Sequence, residues 1–130
     1  MYRTGIKDTF RAYHKLIGDF GDETIPHEHT YEVEWIVSVG EVDENGFGVD
    51  IDLMTETLSA VLSGVDGVFL NDLPYFADRQ PSVENSACYI LETLFRTLSE
   101  SGFDPETVAE SEIKIWESET AWASYVQTAP

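Results

Sequence analysis

All three histidines of the chain lie in one pattern that suits a metal ion. His14 stands alone, whereas His27 and His29 are separated by a single residue. Side chains on an extended segment alternate between two faces, so His27 and His29 point to the same side. Three neutral imidazoles and a water molecule form the open tetrahedral arrangement that is typical of catalytic zinc. Three unrelated polar side chains remain the alternative, because short motifs also occur by chance.

Composition limits the partners that such a site can have. The 130 residues include 25 acids and 7 bases, which give a formal net charge of −18. Nucleic-acid binding requires clustered lysine and arginine, so we expect no nucleic-acid partner. No segment approaches the roughly 20 apolar residues of a membrane span, and the single cysteine, Cys88, permits no internal disulfide. We therefore expect a cytoplasmic protein without a membrane partner.

The strands that would carry the histidines can be predicted from the spacing of apolar residues. Apolar residues alternate with polar ones from about residue 30 to residue 42, which predicts a long strand with one buried face. The pair Asn45-Gly46 follows, and it is a strong signal for a tight turn of the hairpin type. Near the other end of the chain, Ile113, Ile115 and residues 122–126 suggest two closing strands.

Two helices are predicted between these strands. The first has Asp52 as a candidate N-cap and stops at Gly64. The second begins after Ser82 and ends at Gly102, with leucines along one face. The order β-β-α-α-β-β predicts an antiparallel sheet with two helices packed on one face, which is an α+β fold. Residues 1–130 are expected to form a single domain.

Six short segments, spread along most of the chain, complete the pattern. They read F-R-A-Y-H-K-L, H-E-H, G-V-D-I, V-D-G with L-N, P-S-V-E-N and W-E-S, and they begin at residues 10, 27, 48, 65, 81 and 116. Taken in the same order, these segments resemble F-x-A-A-H-x-L, H-G-H, an apolar-Asp-Phe segment, L-D-H with L-N, P-T-x-E-N and E-T. Those are motifs of the 6-pyruvoyl-tetrahydropterin synthase and 6-carboxytetrahydropterin synthase family. By this resemblance the chain is identified as a member of that family.

The resemblance implies a fold and an assembly. The family has the T-fold, or tunnelling fold, in which the sheets of several subunits join around a barrel. Trimers of this kind stack in pairs as hexamers, and the sites lie between subunits. Strand edges that would otherwise invite aggregation are then paired within a closed ring. A homo-oligomer, either a hexamer or a trimer, is therefore expected.

The resemblance also implies roles for individual residues. The three histidines would hold zinc, which would orient and polarise the oxygens of the side chain of a pterin substrate. Glu117, with Ser118 beside it, would accept hydrogen bonds from the amino group and the ring N–H edge of the pterin. Without the resemblance, Glu117 would be read as an ordinary strand glutamate. Lys15 and Arg11 are the candidate contacts to a triphosphate group.

Three positions depart from the family pattern, and two of them belong to its proton-transfer groups. Four residues before the H-x-H pair the family has a catalytic cysteine, whereas this chain has Glu23. The family's Asp-His relay keeps its acid as Asp66, but Gly67 replaces the histidine and cannot transfer a proton. A third change is Glu28 between two metal ligands, where the family has glycine. On a strand, Glu28 should point away from the metal.

Glu23 allows two interpretations. A carboxylate can replace a thiol as general base, and one branch of the family resembles that arrangement. This branch cleaves the side chain of dihydroneopterin triphosphate to 6-hydroxymethyl-dihydropterin, although its glutamate has a slightly different spacing. Alternatively, Glu23 is simply part of an acidic loop.

These observations lead to one leading hypothesis and one alternative. The leading hypothesis is a zinc-dependent lyase that acts on dihydroneopterin triphosphate or a related reduced pterin, with Glu23 as base and Asp66 as a supporting carboxylate. The alternative is a catalytically degenerate member that binds pterin or purine and keeps the zinc. It arises because general acid–base groups contribute about 10²–10⁴-fold each, and the cysteine and the histidine are both missing.

Overall fold

The computed structural model describes residues 1–128 and contains one four-stranded sheet and two α-helices. The strands are β1 (Tyr2–His14), β2 (His27–Val39), β3 (Glu110–Trp116) and β4 (Trp122–Thr128). The helices are α1 (Ile51–Ser63) and α2 (Val83–Glu100). The sheet is antiparallel with the order β1-β2-β3-β4, which confirms the predicted β-β-α-α-β-β arrangement. Among the described residues, no helix is long and apolar enough to cross a membrane.

The apolar face of the sheet carries both helices and forms the core. Val33 and Trp35 of β2 point to this face and are almost completely buried, as the alternation in the sequence predicts. Leu58 of α1 and Leu91 of α2 are fully buried in the same cluster. The strand itself spans residues 27–39 instead of the predicted 30–42, because it pairs with β1 as far as the His14–His27 pair.

The helix boundaries agree with the sequence at three ends and differ at one. Asp50, not Asp52, is the N-cap of α1, since its side chain accepts hydrogen bonds from the backbone N–H groups of the first turn. Gly64 ends α1 as predicted. Ser82 caps α2 by accepting from a backbone N–H at 3.1 Å, and Gly102, with a φ of 86°, follows its last turn.

The Asn45-Gly46 pair forms a tight turn, but no hairpin follows it. Gly46 has a φ of 86° and its N–H donates to the carbonyl of Asp43 at 3.0 Å. The chain then enters α1 instead of a strand, because Asp50 caps a helix only four residues later. The predicted turn is therefore present, and the element after it is the first predicted helix.

The sheet face opposite the helices is polar and ion-paired. Bases on β1 meet acids on the neighbouring strands: Lys7 lies 2.9 Å from Glu32, and Arg11 lies 3.7 Å from Glu28. The latter pair puts Glu28 on the face away from the two flanking histidines, as expected. Such exposed pairs contribute little stability individually, but they balance the charge of this face in a strongly acidic chain.

Candidate functional site

Strand pairing brings the three histidines together at one end of the sheet. His14 is the last residue of β1 and lies directly opposite His27, the first residue of β2. His29 is two residues further along β2 and points to the same face. Nitrogen atoms of the three rings lie within 4.8 Å of one another, a spacing that could hold a metal ion. The period-two argument from the sequence therefore predicted correctly that His27 and His29 share a face, and the pairing of β1 with β2 adds His14.

Backbone carbonyls fix the orientation of two of the rings. The Nδ1–H of His14 donates to the carbonyl of Pro81 at 2.8 Å, and that of His27 donates to the carbonyl of Ile25 at 2.8 Å. Because a carbonyl can only accept, each Nδ1 must carry the proton and each Nε2 keeps its lone pair. Outer contacts of this kind are typical of histidines that bind metals.

The inward-facing nitrogens lack hydrogen-bond partners. Nε2 of His27 and Nε2 of His29 are buried and, within residues 1–128, form no hydrogen bond. The nearest acid to His29 is Glu117, whose Oε1 lies 3.4 Å from Nε2 without hydrogen-bond geometry. Buried acceptors that remain unpaired are costly, so these nitrogens fit a bound cation. Imidazole nitrogens are typical ligands of transition metals such as zinc, copper, iron and nickel.

Burial keeps His14 neutral, as a metal ligand must be. Its side chain is almost inaccessible, and desolvation lowers its pKa below 6.5. The neighbouring His27 and His29 lower the pKa further, whereas the carbonyl of Pro81 and the charge of Glu117 oppose the shift. His14 therefore carries its lone pair at neutral pH.

Tyr31 forms the floor of the cluster and was not singled out from the sequence. It is 1% exposed, and its hydroxyl lies 3.4 Å from Nδ1 of His14. Burial raises the pKa of Tyr31, and the nearby charges of Glu117 and Glu23 raise it further. Its position could have been found, because it continues the two-residue spacing of His27 and His29 on the same face.

Glu117 reaches the cluster from the end of β3. Its backbone N–H donates to the carbonyl of Ala121 at 3.0 Å, which closes the turn to β4 and fixes the residue beside His29. Ser118 lies in the same turn, but its hydroxyl accepts from the N–H groups of Thr120 and Ala121. Glu117 is therefore placed to meet a ligand, whereas the hydroxyl of Ser118 already organises the turn.

Glu23 lies in the loop between β1 and β2, close to the floor of the cluster. It belongs to the 3₁₀ turn Gly21–Thr24, and its carbonyl accepts from the N–H of Leu16 at 2.7 Å. Its side chain is exposed, and its charge helps to raise the pKa of Tyr31. The structure therefore brings Glu23 to the border of the site rather than to its centre.

Two amide side chains hold this loop in place, a role that the sequence did not reveal. Asn71 accepts from the N–H of Lys15 and donates to its carbonyl, both at 3.0 Å. Gln80 forms the same two-way contact with the backbone of Ile17. Asn85 in turn donates to the carbonyl of Gln80 at 2.9 Å. Asn71 and Asn85 stood in the quoted motifs, so the signal was present without an assigned function.

Asp66 lies outside the histidine cluster of its own chain. Its Oδ1 accepts from the backbone N–H of Arg11 at 2.9 Å, and the N–H of Gly67 donates to the carbonyl of Arg11. Asp66 is thereby tied to the outer edge of β1. Gly67 adopts a φ of 74°, and a Cβ there would meet no atom within 4 Å.

Comparisons with known proteins agree with this geometry. A family model described as 6-pyruvoyl tetrahydropterin synthase matches residues 4–128. The 6-pyruvoyl tetrahydropterin synthase of Caenorhabditis elegans is 26% identical with a TM-score of 0.81, over 98% of this chain and 96% of that one. The Plasmodium falciparum enzyme of that name is 19% identical with a TM-score of 0.81, over 98% of both chains.

A Plasmodium vivax enzyme of the same name is also similar. It is 17% identical with a TM-score of 0.80 over 98% of both chains, and the structure is that of a variant in which a catalytic glutamate is replaced by cysteine. The similarity of these structures confirms the T-fold of the subunit. A search of curated proteins found no match.

Proposed function

Because the chain belongs to the 6-pyruvoyl tetrahydropterin synthase family, we propose that it is a zinc-dependent lyase acting on a reduced pterin. Dihydroneopterin triphosphate or a close derivative is the proposed substrate. The observation that carries the proposal is the cluster of three histidines, in which two buried Nε2 atoms have no hydrogen-bond partner among the described residues. His14, His27 and His29 would hold the ion. When bound, zinc polarises the oxygens of the substrate's side chain.

Glu117 is proposed to bind and orient the pterin ring. Its carboxylate lies beside His29 at the border of the cluster, and it is one-third exposed. A carboxylate can accept two parallel hydrogen bonds, one from an exocyclic amino group and one from a ring N–H. This contact would fix the ring so that its side chain extends toward the histidines. Tyr31 would exclude water from below, since it is buried under the cluster.

Glu23 is proposed to remove a proton from the substrate's side chain. Its backbone carbonyl accepts from the N–H of Leu16, two residues after His14, which supports a position close to the cluster, and the loop that carries it is held by Asn71 and Gln80. A further support comes from the Plasmodium vivax relative, where the residue called catalytic is also a glutamate. A general base of this type contributes about 10²–10⁴-fold to the rate.

The remaining predicted site residues would act in supporting roles. Lys15 directly follows His14 and is the proposed contact to a triphosphate, while Ser118 would hold the turn beside Glu117. Asp66 lies at the outer edge of β1, so it would serve a site shared with a second copy of the chain. The proposed assembly is a homotrimer or homohexamer with sites between subunits. The proposed location is the cytoplasm.

A second candidate function is favoured by one observation. Gly67 stands where the family resemblance expects a histidine, and the space that a side chain would fill is open. A member that binds zinc and pterin without turning the pterin over would keep the histidines and Glu117. Its Glu23 would then be an acidic loop residue.

One experiment separates the two candidates. The zinc-loaded protein is incubated with dihydroneopterin triphosphate, and products are identified by mass spectrometry, with the His27→Ala variant as control. We expect loss or cleavage of the substrate's side chain with the parent and none with the variant. Bound but unchanged substrate would support the degenerate candidate, and no binding at all would contradict both.

A further inference from the structure

The hydroxyl group of Tyr31 is buried beside the histidine cluster. Tyr31 is 1% exposed, and it lies on the same face of β2 as His27 and His29. Its ring stacks on that of Phe10, with the ring centroids 4.9 Å apart, and the centroid of the His29 ring is 5.6 Å away. These neighbours hold the ring in place, and its hydroxyl oxygen lies 3.4 Å from Nδ1 of His14.

The contact to His14 gives the hydroxyl proton of Tyr31 no acceptor. Nδ1 of His14 donates its own proton to the carbonyl of Pro81 at 2.8 Å, so this nitrogen has no lone pair with which to accept another. The oxygen of Tyr31 can therefore only share the proton of Nδ1, as a second and more distant acceptor. Among residues 1–128, the Tyr31 hydroxyl forms no other hydrogen bond.

A buried hydroxyl whose proton has no acceptor needs an explanation. Burial removes the group from water, and the free energy lost in that step is not recovered unless the donor finds a partner. Native structures contain few such groups, and those that occur often act on a bound ligand. A phenylalanine at this position would fill the same space against Phe10 without the cost. Packing alone therefore does not account for the hydroxyl of Tyr31.

The position of the hydroxyl limits what it can contact. It lies 3.4 Å from the ring of His14, and the ring nitrogens of the three histidines lie within 4.8 Å of one another. A hydroxyl donates over about 2.5–3.0 Å, so any acceptor that it reaches also lies next to the histidine rings. A metal cation cannot accept a hydrogen bond. The partner must therefore be an electronegative atom of a molecule that binds at the cluster.

We propose that Tyr31 donates a hydrogen bond to an oxygen on the side chain of the bound pterin. This inference rests on the proposed function and adds a contact that distinguishes pterins by their side chains. Glu117 would bind the edge of the ring, which all pterins share, whereas Tyr31 would bind an oxygen that only some of them carry. The site then prefers pterins with a hydroxylated side chain over those with an alkyl side chain.

The same contact would assist the reaction without a proton transfer by Tyr31. Removal of a proton from the substrate's side chain is assigned to Glu23, and negative charge then develops on a neighbouring oxygen. A donor that is already held in place stabilises such charge, because it does not have to reorganise during the reaction. Tyr31 is held in this way by its contacts to Phe10 and His29.

The affinities of two ligands test the proposed contact. Neopterin carries hydroxyl groups on its side chain, whereas 6-methylpterin carries a methyl group instead and has the same ring edge. Titration calorimetry on the zinc-loaded protein compares the two. Tyr31→Phe should weaken the binding of neopterin about three- to tenfold, as expected for the loss of one hydrogen bond between neutral groups. The binding of 6-methylpterin should stay the same.

Two control variants make the comparison specific. Glu117→Gln should weaken the binding of both ligands by a similar factor, because they share the ring edge. Tyr13→Phe removes a hydroxyl at the same end of the sheet but on the opposite face, and it should change neither affinity. If Tyr31→Phe affects both ligands equally, or neither, while Glu117→Gln weakens both, the inference is wrong and the proposed function stands. A parent protein that binds neither ligand would overturn both.

The stability of the metal-free protein separates a ligand contact from a structural role. Because the hydroxyl proton has no acceptor in the described chain, Tyr31→Phe should leave the melting temperature unchanged or raise it. Loss of a hydrogen bond within the protein would instead lower it by about 2–8 °C. Elemental analysis should still find about one zinc per subunit in this variant. A lower melting temperature, or loss of zinc, would show that Tyr31 only supports the fold or His14, and would overturn the inference.

Discussion

The two ends of the sheet differ in the kind of group that they leave without a partner. At the histidine end, backbone carbonyls accept from Nδ1 of His14 and of His27, and among residues 1–128 the buried Nε2 atoms of His27 and His29 have no hydrogen-bond partner. At the opposite end, the groove end, an apolar groove of about 350 Å³ lies between the last turns of α2, the loop before β3 and Gln127 of β4, and among residues 1–128 no strand pairs with the outer edge of β4. Buried unpaired nitrogens indicate a small cation, whereas open edges and apolar surface indicate another protein chain. The same sheet can therefore be interpreted as an enzyme site at one end and an assembly surface at the other.

The largest expected effect is the loss of metal when one of the three histidine side chains is removed. His27→Ala should reduce the metal content from about one zinc per subunit to almost none, because a three-ligand site rarely survives with two. The measurement is elemental analysis of the purified protein. Glu28→Gln is the matched control, since Glu28 neighbours both ligands but points to the other face. Metal retained by His27→Ala, or lost equally from both variants, would contradict the assignment of the histidine end.

The next largest effect is expected in the loop beside the histidines. Glu23→Gln should lower turnover about 10²–10⁴-fold while zinc content and pterin affinity stay the same, because an amide cannot accept a proton at neutral pH. Asp22→Asn, one residue away in the same 3₁₀ turn, is the control and should retain turnover. Equal rates for both variants and the parent would remove Glu23 from the mechanism.

Binding of the pterin ring should respond to Glu117. Glu117→Gln loses a charge-assisted contact worth about 1.5–3 kcal/mol, which corresponds to roughly 10–150-fold in affinity. Titration calorimetry with a reduced pterin measures this change, and metal content serves as the check that the site is intact. If Glu117→Asn weakens binding and Glu117→Gln does not, shape rather than charge holds the ring.

The smallest expected effect is a pH dependence of the free energy of unfolding, and it should arise at the histidine end alone. In the metal-free protein the pKa of His14 is lowered by burial, so the unfolded chain takes up a proton near pH 6.5 that the folded chain resists. The free energy of unfolding should therefore decrease as pH falls below 6.5, until the lowered pKa is reached. His14→Gln should flatten this part of the profile in chemical denaturation experiments. Tyr2→Ala, at the groove end, should leave its slope unchanged.

Much of the histidine end could be predicted from the sequence because it depends on local rules. Two-residue spacing places His27 and His29 on one face, and the quoted motifs add His14 and Glu117. The Asn71 clamp could not be assigned, since its partners are backbone atoms more than fifty residues away. The sequence predicted Asp52 as the cap of α1, whereas the hydrogen bonds assign that role to Asp50, two residues earlier.

The groove end was almost invisible to sequence reasoning. Its walls combine α2, the loop before β3 and β4, and no motif joins these segments. The uncharged run of β4 was visible, but its meaning depends on its being an edge strand, which only the sheet order reveals. The position of Asp66 at the outer edge of β1 could not be predicted either, because it follows from a contact to the backbone of Arg11.

The central claim is that the histidine cluster is a zinc site on which pterin chemistry depends. Its most direct test titrates zinc into metal-free protein while substrate consumption is followed by mass spectrometry. The account predicts that turnover rises in proportion to added zinc and stops rising at about one ion per subunit, with no response in His27→Ala. Turnover that is already complete in the metal-free protein would contradict the claim.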